Sequence, residues 1–210
     1  MIPFNKYRYI YPPRPESKIR STEVVKYDNG NFIGQPKLNG SNCTVYTNGI
    51  DVYIMNRHKG ILSNVILNKK VFTDLHKGNG WMAINGEYMN KSKKNGQDLI
   101  FNHKFIIFDI LVYDGKQTIG KTFGERVDLL NKLYDSVSYD KFIRKINDDI
   151  YIVETFFNGF ESIYNDLINV DMYEGLVIKK TKAKLKNGIS EKNNTESQIK
   201  VRKPTKNYDF

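Results

Sequence analysis

The chain has 210 residues, a mass of 24.5 kDa and a formal net charge of +10 at pH 7. That length buries one good core, or one domain with a long excursion, and no run approaches the ~18 apolar residues of a membrane-crossing helix. The start, MIPFNKYRYIYPPRPESK, lacks the apolar core and cleavage site of a secretory signal. The single cysteine, Cys43, excludes an internal disulfide and fits a reducing compartment, so a cytoplasmic protein with no membrane partner is expected. Excess Lys and Arg favour a polyanionic partner, because they displace counterions from phosphates. A Lys- and Asn-rich composition also follows from an AT-rich genome, so charge alone does not decide.

In chain order, residues 1–20 read as an extended arm ahead of a domain over 21–210. Pro12, Pro13 and Pro15 forbid helix, and Lys6, Arg8, Arg14, Lys18 and Arg20 alternate with Tyr7, Tyr9 and Tyr11. Such interleaving suits a nucleic-acid backbone, or an arm tucked along the domain. Residues 31–57 have the pattern of a β-meander in which Lys37 ends an apolar approach and Asn39-Gly40 turns the chain. Read alone, Lys37 is a surface lysine before a hairpin. Asn42–Tyr46 and Asp51–Asn56 alternate about Thr47-Asn48-Gly49 and deliver Arg57, by itself a solvated strand-end charge. The centre of 61–80 is predicted helical, with Val65, Ile66, Val71, Phe72 and Leu75 at workable spacing. Trp81–Tyr88 is an apolar strand ending in Glu87, a costly place for a carboxylate that has no partner.

Lys91–Lys94 is expected to be a solvated loop. Phe105–Gly115 is a strand whose apolar run, including Phe108, is broken by Asp109 and closed by Asp114-Gly115. Phe123–Leu133 has the periodicity of a helix, followed by a strand over Ile150–Thr155 and a helix near Gly159–Asn169. Glu174 and Lys179 bracket a β-branched strand, and Thr181–Ser197 is loop-like. Gln198–Lys203 alternates, which puts Lys200 and Arg202 on one face.

Taken together and in this order, the segments resemble the lysine-adenylating nucleotidyltransferases: ATP-dependent DNA ligases, RNA ligases and their mRNA-capping relatives. Lys37-Leu38-Asn39-Gly40 is similar to the family's Lys-x-Asp/His-Gly, whose lysine attacks a nucleotide's α-phosphate, and Arg57 occupies the place of its second motif. Gly86-Glu87 resembles the Gly-Glu motif, and Phe108–Gly115 resembles the strand whose phenylalanine stacks on adenine. The Glu125-Arg126 helix is similar to one that follows that strand in DNA ligases. Glu174–Lys179 matches Glu-Gly-hydrophobic-hydrophobic-hydrophobic-Lys, and Lys200-Val201-Arg202 matches the final Lys-x-Lys/Arg.

The resemblance implies an α+β nucleotidyltransferase (ATP-grasp-like) domain of two antiparallel sheets with flanking helices and the nucleotide between them. It implies an ATP-dependent polynucleotide ligase, DNA ahead of RNA, acting through a covalent lysyl-AMP on nicked or broken duplex ends in DNA repair or replication. Lys37, Lys179 and Lys200 would be catalytic. Gln35, Arg57, Glu87, Phe108, Glu174, Lys179, Lys200 and Arg202 would bind ATP. Glu174 and Glu87 would hold Mg2+ or Mn2+, and Asn42, Arg57, Arg14 and Lys18 would meet nucleic acid. Lys179, Lys200 and Arg202 are expected to crowd Lys37 and so free its lone pair.

The alternatives are an RNA ligase, a GTP-using capping guanylyltransferase, and a nucleic-acid-binding module without activity. Asn39 stands where the family has an acid or histidine, and Asn42 where DNA ligases and capping enzymes have arginine. The family's β-barrel OB domain does not follow the last motif. The expectations are therefore a minimal monomer, a separate clamp protein, or a missing segment.

Overall fold

The computed structural model describes residues 11–188 and 193–204; Lys6, Tyr7, Arg8 and Tyr9 of the arm lie outside them. The first strands are β1 (Arg14–Lys18), β2 (Phe32–Leu38), β3 (Ser41–Thr47), β4 (Val52–Asn56) and β5 (Met82–Met89), and β2, β3 and β5 are buried along most of their length. A 3-10 helix, Ser21–Tyr27, follows β1, and a short helix α1 (Lys69–Thr73) precedes β5. The chain continues through β6 (Lys93–Lys94), β7 (Ile100–Phe101), β8 (Lys104–Tyr113), β9 (Lys116–Gln117) and helix α2 (Phe123–Leu133). It ends with β10 (Val137–Ser138), β11 (Ile143–Lys145), β12 (Ile150–Val153), helix α3 (Phe160–Leu167), β13 (Tyr173–Lys180) and β14 (Asn194–Arg202).

A four-stranded sheet runs β1-β14-β13-β2, and an eight-stranded one runs β10-β11-β12-β8-β5-β3-β4 with β9 on β8. Both are chiefly antiparallel, and each also carries one parallel pairing, β1 with β14 and β12 with β8. The smaller sheet turns Leu38, Leu176, Ile178 and Val201 into a core shared with Ile106, Tyr151 and Val153 of the larger sheet. Helix α3 adds Phe160, Ile163, Tyr164 and Leu167, a single apolar stripe at helical spacing. A second core joins Val45, Ile84, Tyr88, Ile107 and Ile110 of the large sheet to Phe72 of α1 and Leu75 just after it, and to Leu130 of α2 and Tyr134 at its C-terminal end. Among the described residues no helix is long and apolar enough to cross a membrane.

Three local expectations need correction. Between 61 and 80 only Lys69–Thr73 is helical. Leu62 N–H instead continues the β4 pairing to Ile54 O (2.9 Å), and Ile66 N–H donates to the Tyr88 hydroxyl (3.1 Å), so these amides are committed before a helix can start. Lys93 and Lys94 are no free loop, because they pair with Phe101 and Ile100 about a turn held by Asn95 Oδ1. The last strand begins at Asn194 rather than Gln198, since β1 offers it an edge from Arg14 onward.

Candidate active site

In β2, alternation sends Gln35 and Lys37 to one face, opposite Val177 and Gly175 of β13. Strict alternation would turn Glu174 away from Lys37. Between Tyr173 and Gly175 the register slips by one residue, and this bulge brings Glu174 round to Lys37. Gly175 makes it possible: its φ is +137°, and a Cβ there would overlap the Val201 carbonyl oxygen.

Lys37 Nζ donates to Glu174 Oε2, and Arg202 Nε lies 3.5 Å from that oxygen. The Asn39 amide, with its nitrogen toward Glu174, donates to Oε1 at 3.3 Å while its oxygen accepts from Lys93 Nζ at 3.1 Å. Lys37 is thus paired with a carboxylate rather than isolated among cations, which corrects the expected crowding. The crowding falls on Lys200, opposite Val177, whose pKa is lowered by burial first and then by Arg202, Lys37 and Lys18. Lys179 lies at the far end of the face, 5% exposed. Its Nζ donates to Gln35 Oε1 (2.8 Å) and sits 4.2 Å from the Phe123 ring centroid and 5.2 Å from that of Phe108. Burial draws its pKa down to about 7, with Asp109 opposing and Arg126 adding to the shift. Gln35 Nε2 donates to Thr155 Oγ1 (3.1 Å), so both ends of that amide are fixed.

The large sheet supplies the opposite wall. A second slip, between Asn85 and Gly86, leaves Phe108 as the extra residue of β8, half-buried on the cleft. Asp109 points away and takes a fork from Arg126, with Nε to Oδ1 at 2.8 Å and Nη2 to Oδ2 at 3.0 Å. At Gly86 a Cβ would come 2.5 Å from Ile106 O, so the close approach of β5 to β8 needs glycine. Glu87 is half-buried and accepts from Gly40 N–H at 3.2 Å. Burial pushes its pKa up to about 7 and Glu174 adds to this, while Lys37 opposes it. Asn42 Nδ2 donates to Gly86 O at 3.4 Å. Arg57 is exposed at the mouth, where its carbonyl accepts from Arg14 Nη2 at 3.3 Å.

Every residue expected in the site except Lys18 lines one cleft of about 660 Å³ between the sheets; Lys18 sits opposite Lys200 on the edge strand. Thr155, Phe123 and Lys93, which hold Gln35, Lys179 and Asn39, carry no signal in the sequence. Among the described residues no three His, Cys, Asp or Glu side chains form a metal cage. Glu174 and Glu87 on one cleft nevertheless fit a Mg2+-like cation, which takes one or two carboxylates and completes its shell with phosphates and water.

The fold recurs in solved structures. A mycobacterial DNA ligase D complexed with ATP and MES matches with a TM-score of 0.64 and 14% identity over 92% of this chain and 60% of that one. The ATP-dependent DNA ligase of bacteriophage T7, in complex with ATP, matches at 0.54 and 12%, over 91% and 68%. The Chlorella virus DNA ligase-adenylate matches at 0.50 and 16%, over 91% and 69%. This chain therefore spans about 60% of the length of the ligase D structure. No curated protein matches it. The fold is that of the covalent nucleotidyltransferases, an α+β domain of two sheets around a cleft. The RNA ligase family profile matches residues 30–202, and the chain belongs to that family.

Proposed function

We propose that this chain is the nucleotidyltransferase domain of an ATP-dependent polynucleotide ligase. The observation that carries the reading is the convergence of Lys37, Glu174, Lys200 and Arg202 on one cleft beside Phe108. Lys37 Nζ attacks the α-phosphorus of ATP; a P–N bond forms as the P–O bond to pyrophosphate breaks. Attack needs the neutral amine, and Glu174, in contact with Nζ, is the carboxylate placed to take its proton. Phe108 stacks the base, and the Gln35 amide, held in place by Lys179 and Thr155, meets its edge. Lys200 and Arg202 stabilise charge that develops on the phosphates. Glu174 and Glu87 would hold Mg2+, which neutralises phosphate charge when bound. Lys37 then yields its AMP to a polynucleotide 5′-phosphate, and attack by a 3′-hydroxyl joins the strands and releases AMP.

Two substrates remain in play. The Phe108–Gly115 strand and the Arg126 helix, similar to those of DNA ligases, support DNA. The family profile and Asn42 support RNA. The test offers nicked DNA, nicked RNA and hybrid duplexes with ATP or GTP and Mg2+. Joining with ATP alone supports the reading, and the preferred nick names the polymer. A covalent adduct with GTP and no joining would favour a capping enzyme, while neither adduct nor joining would favour a binding module.

A further inference from the structure

The cleft does not stop at Lys179. A second trough of about 670 Å³ opens beyond the Lys179 and Phe123 side chains and shares Pro13, Glu16, Lys179, Asn194 and Gln198 with the first. One wall is the segment 180–186, which turns at 180–183, where Ala183 N–H donates to Lys180 O at 3.0 Å, and then runs extended. Phe123 N–H donates to Ala183 O at 2.9 Å, Leu185 N–H to Lys121 O at 2.8 Å, and Gly120 N–H to Leu185 O at 2.9 Å. Leu185 is buried, so alternation leaves Lys184 and Lys186 exposed on the other side; Lys180 and Lys182 are exposed on the turn, and all four line the trough.

We propose that a polynucleotide strand lies along this lysine row and delivers its end to Lys37; the delivery rests on the ligase reading above. Alternate residues of an extended chain are ~6.6 Å apart, which is the spacing of Lys184 and Lys186, and Lys180 and Lys182 stand on the turn before them. A nucleic-acid strand carries a charge every ~3.4 Å of axis, so Lys184 and Lys186 are about two phosphates apart. Exposed lysines spread along one wall suit an extended polyanion, whereas a single phosphate would be met by a converging cluster. Glu16 and Glu196 also line the trough, and Glu125, its pKa lowered chiefly by Thr122, lies near Lys184; these acids are outnumbered by the lysines. Contacts of this type position a backbone without reading its sequence.

The test uses the full chain and a triple variant, Lys182→Ser/Lys184→Ser/Lys186→Ser. A control with the same charge change, Lys69→Ser/Lys77→Ser/Lys132→Ser, alters exposed lysines outside both troughs. Binding of a nicked duplex is followed by fluorescence anisotropy from ~50 to ~200 mM salt, a range over which phosphate contacts are lost. Each lost phosphate contact lowers the slope of log K against log salt by ~0.9, so the triple variant should lose about 2–3 and bind tenfold or more weakly at low salt. Self-adenylation should stay within twofold of wild type. Equal slopes in the triple variant and wild type, or an equal loss in the control, would overturn the proposal in favour of the arm or a separate clamp protein. A matching loss of self-adenylation would overturn it too, by making the row part of the nucleotide site. Wild-type binding with the expected slopes but no adenylation would sink the ligase reading and leave the lysine row standing.

Discussion

Lys179 and Glu87 place two titrations near neutral pH inside one cleft. The Lys179 pKa of about 7 lies below its ordinary 10.5, so between those values the unfolded chain binds more protons and stability rises with pH. The Glu87 carboxyl, raised from 4.5 to about 7, does the reverse: the folded chain holds the extra proton, and stability falls as pH climbs through that window. The ligand-free protein should therefore be least stable near pH 7. Lys179→Met should abolish the alkaline rise, on the order of 2–4 kcal/mol, and Glu87→Gln the smaller decline on the acid side. Thermal unfolding at pH 5, 7 and 9 checks both, and a flat wild-type profile would refute the assignment. At Phe108 the expected effect is on the nucleotide: Phe108→Ala should lose ~1–3 kcal/mol of base stacking, raising the ATP concentration for half-maximal adenylation with little change at saturation. An unchanged ATP dependence in the folded variant would make Phe108 only a packing residue.

At the scale of elements, two bulges carry the site. Gly175→Ala, with a methyl where Val201's carbonyl lies, should shift β13 against β14 and separate Glu174 from Lys37. Adduct formation should fall at least tenfold even where circular dichroism shows retained sheet; near-normal labelling would mean that the bulge does not position Glu174. Asp109 belongs to the frame, and Asp109→Asn leaves the buried Arg126 charge half-partnered. Losing one partner of a buried pair costs ~3–5 kcal/mol, a melting shift of roughly 6–20 °C at this size, measurable by calorimetry. These elements also mark how far the sequence could be read. Strand alternation and local motif spacing located Lys37, Phe108, Glu174, Lys200 and Arg202 on strands, because period-two patterns and short motifs are local. The bulges and the partners of Gln35, Lys179 and Asn39 stayed hidden. Thr155 meets Gln35 across 120 residues, and no local pattern records such a contact. The helix predicted over 61–80 failed for the same reason, since the Tyr88 hydroxyl that takes the Ile66 amide comes from a distant strand.

Across the whole molecule, the two sheets act as facing walls. One brings the paired lysine and carboxylate with Lys200 and Arg202, and the other brings Phe108 and Glu87. Neither wall alone forms the cleft, so the chemistry should depend on their docking through the shared core of Leu176, Ile178, Ile106 and Tyr151. The most direct measurement of the central claim is covalent labelling. The chain is incubated with α-labelled ATP and Mg2+, and the adduct is located by peptide mass spectrometry in wild type and Lys37→Ala. The expected result is one AMP on Lys37, released by acid and stable to alkali as a phosphoramidate, and none on Lys37→Ala. Labelling that persists in Lys37→Ala, or a wild type that takes up no label at any metal concentration, would contradict the account.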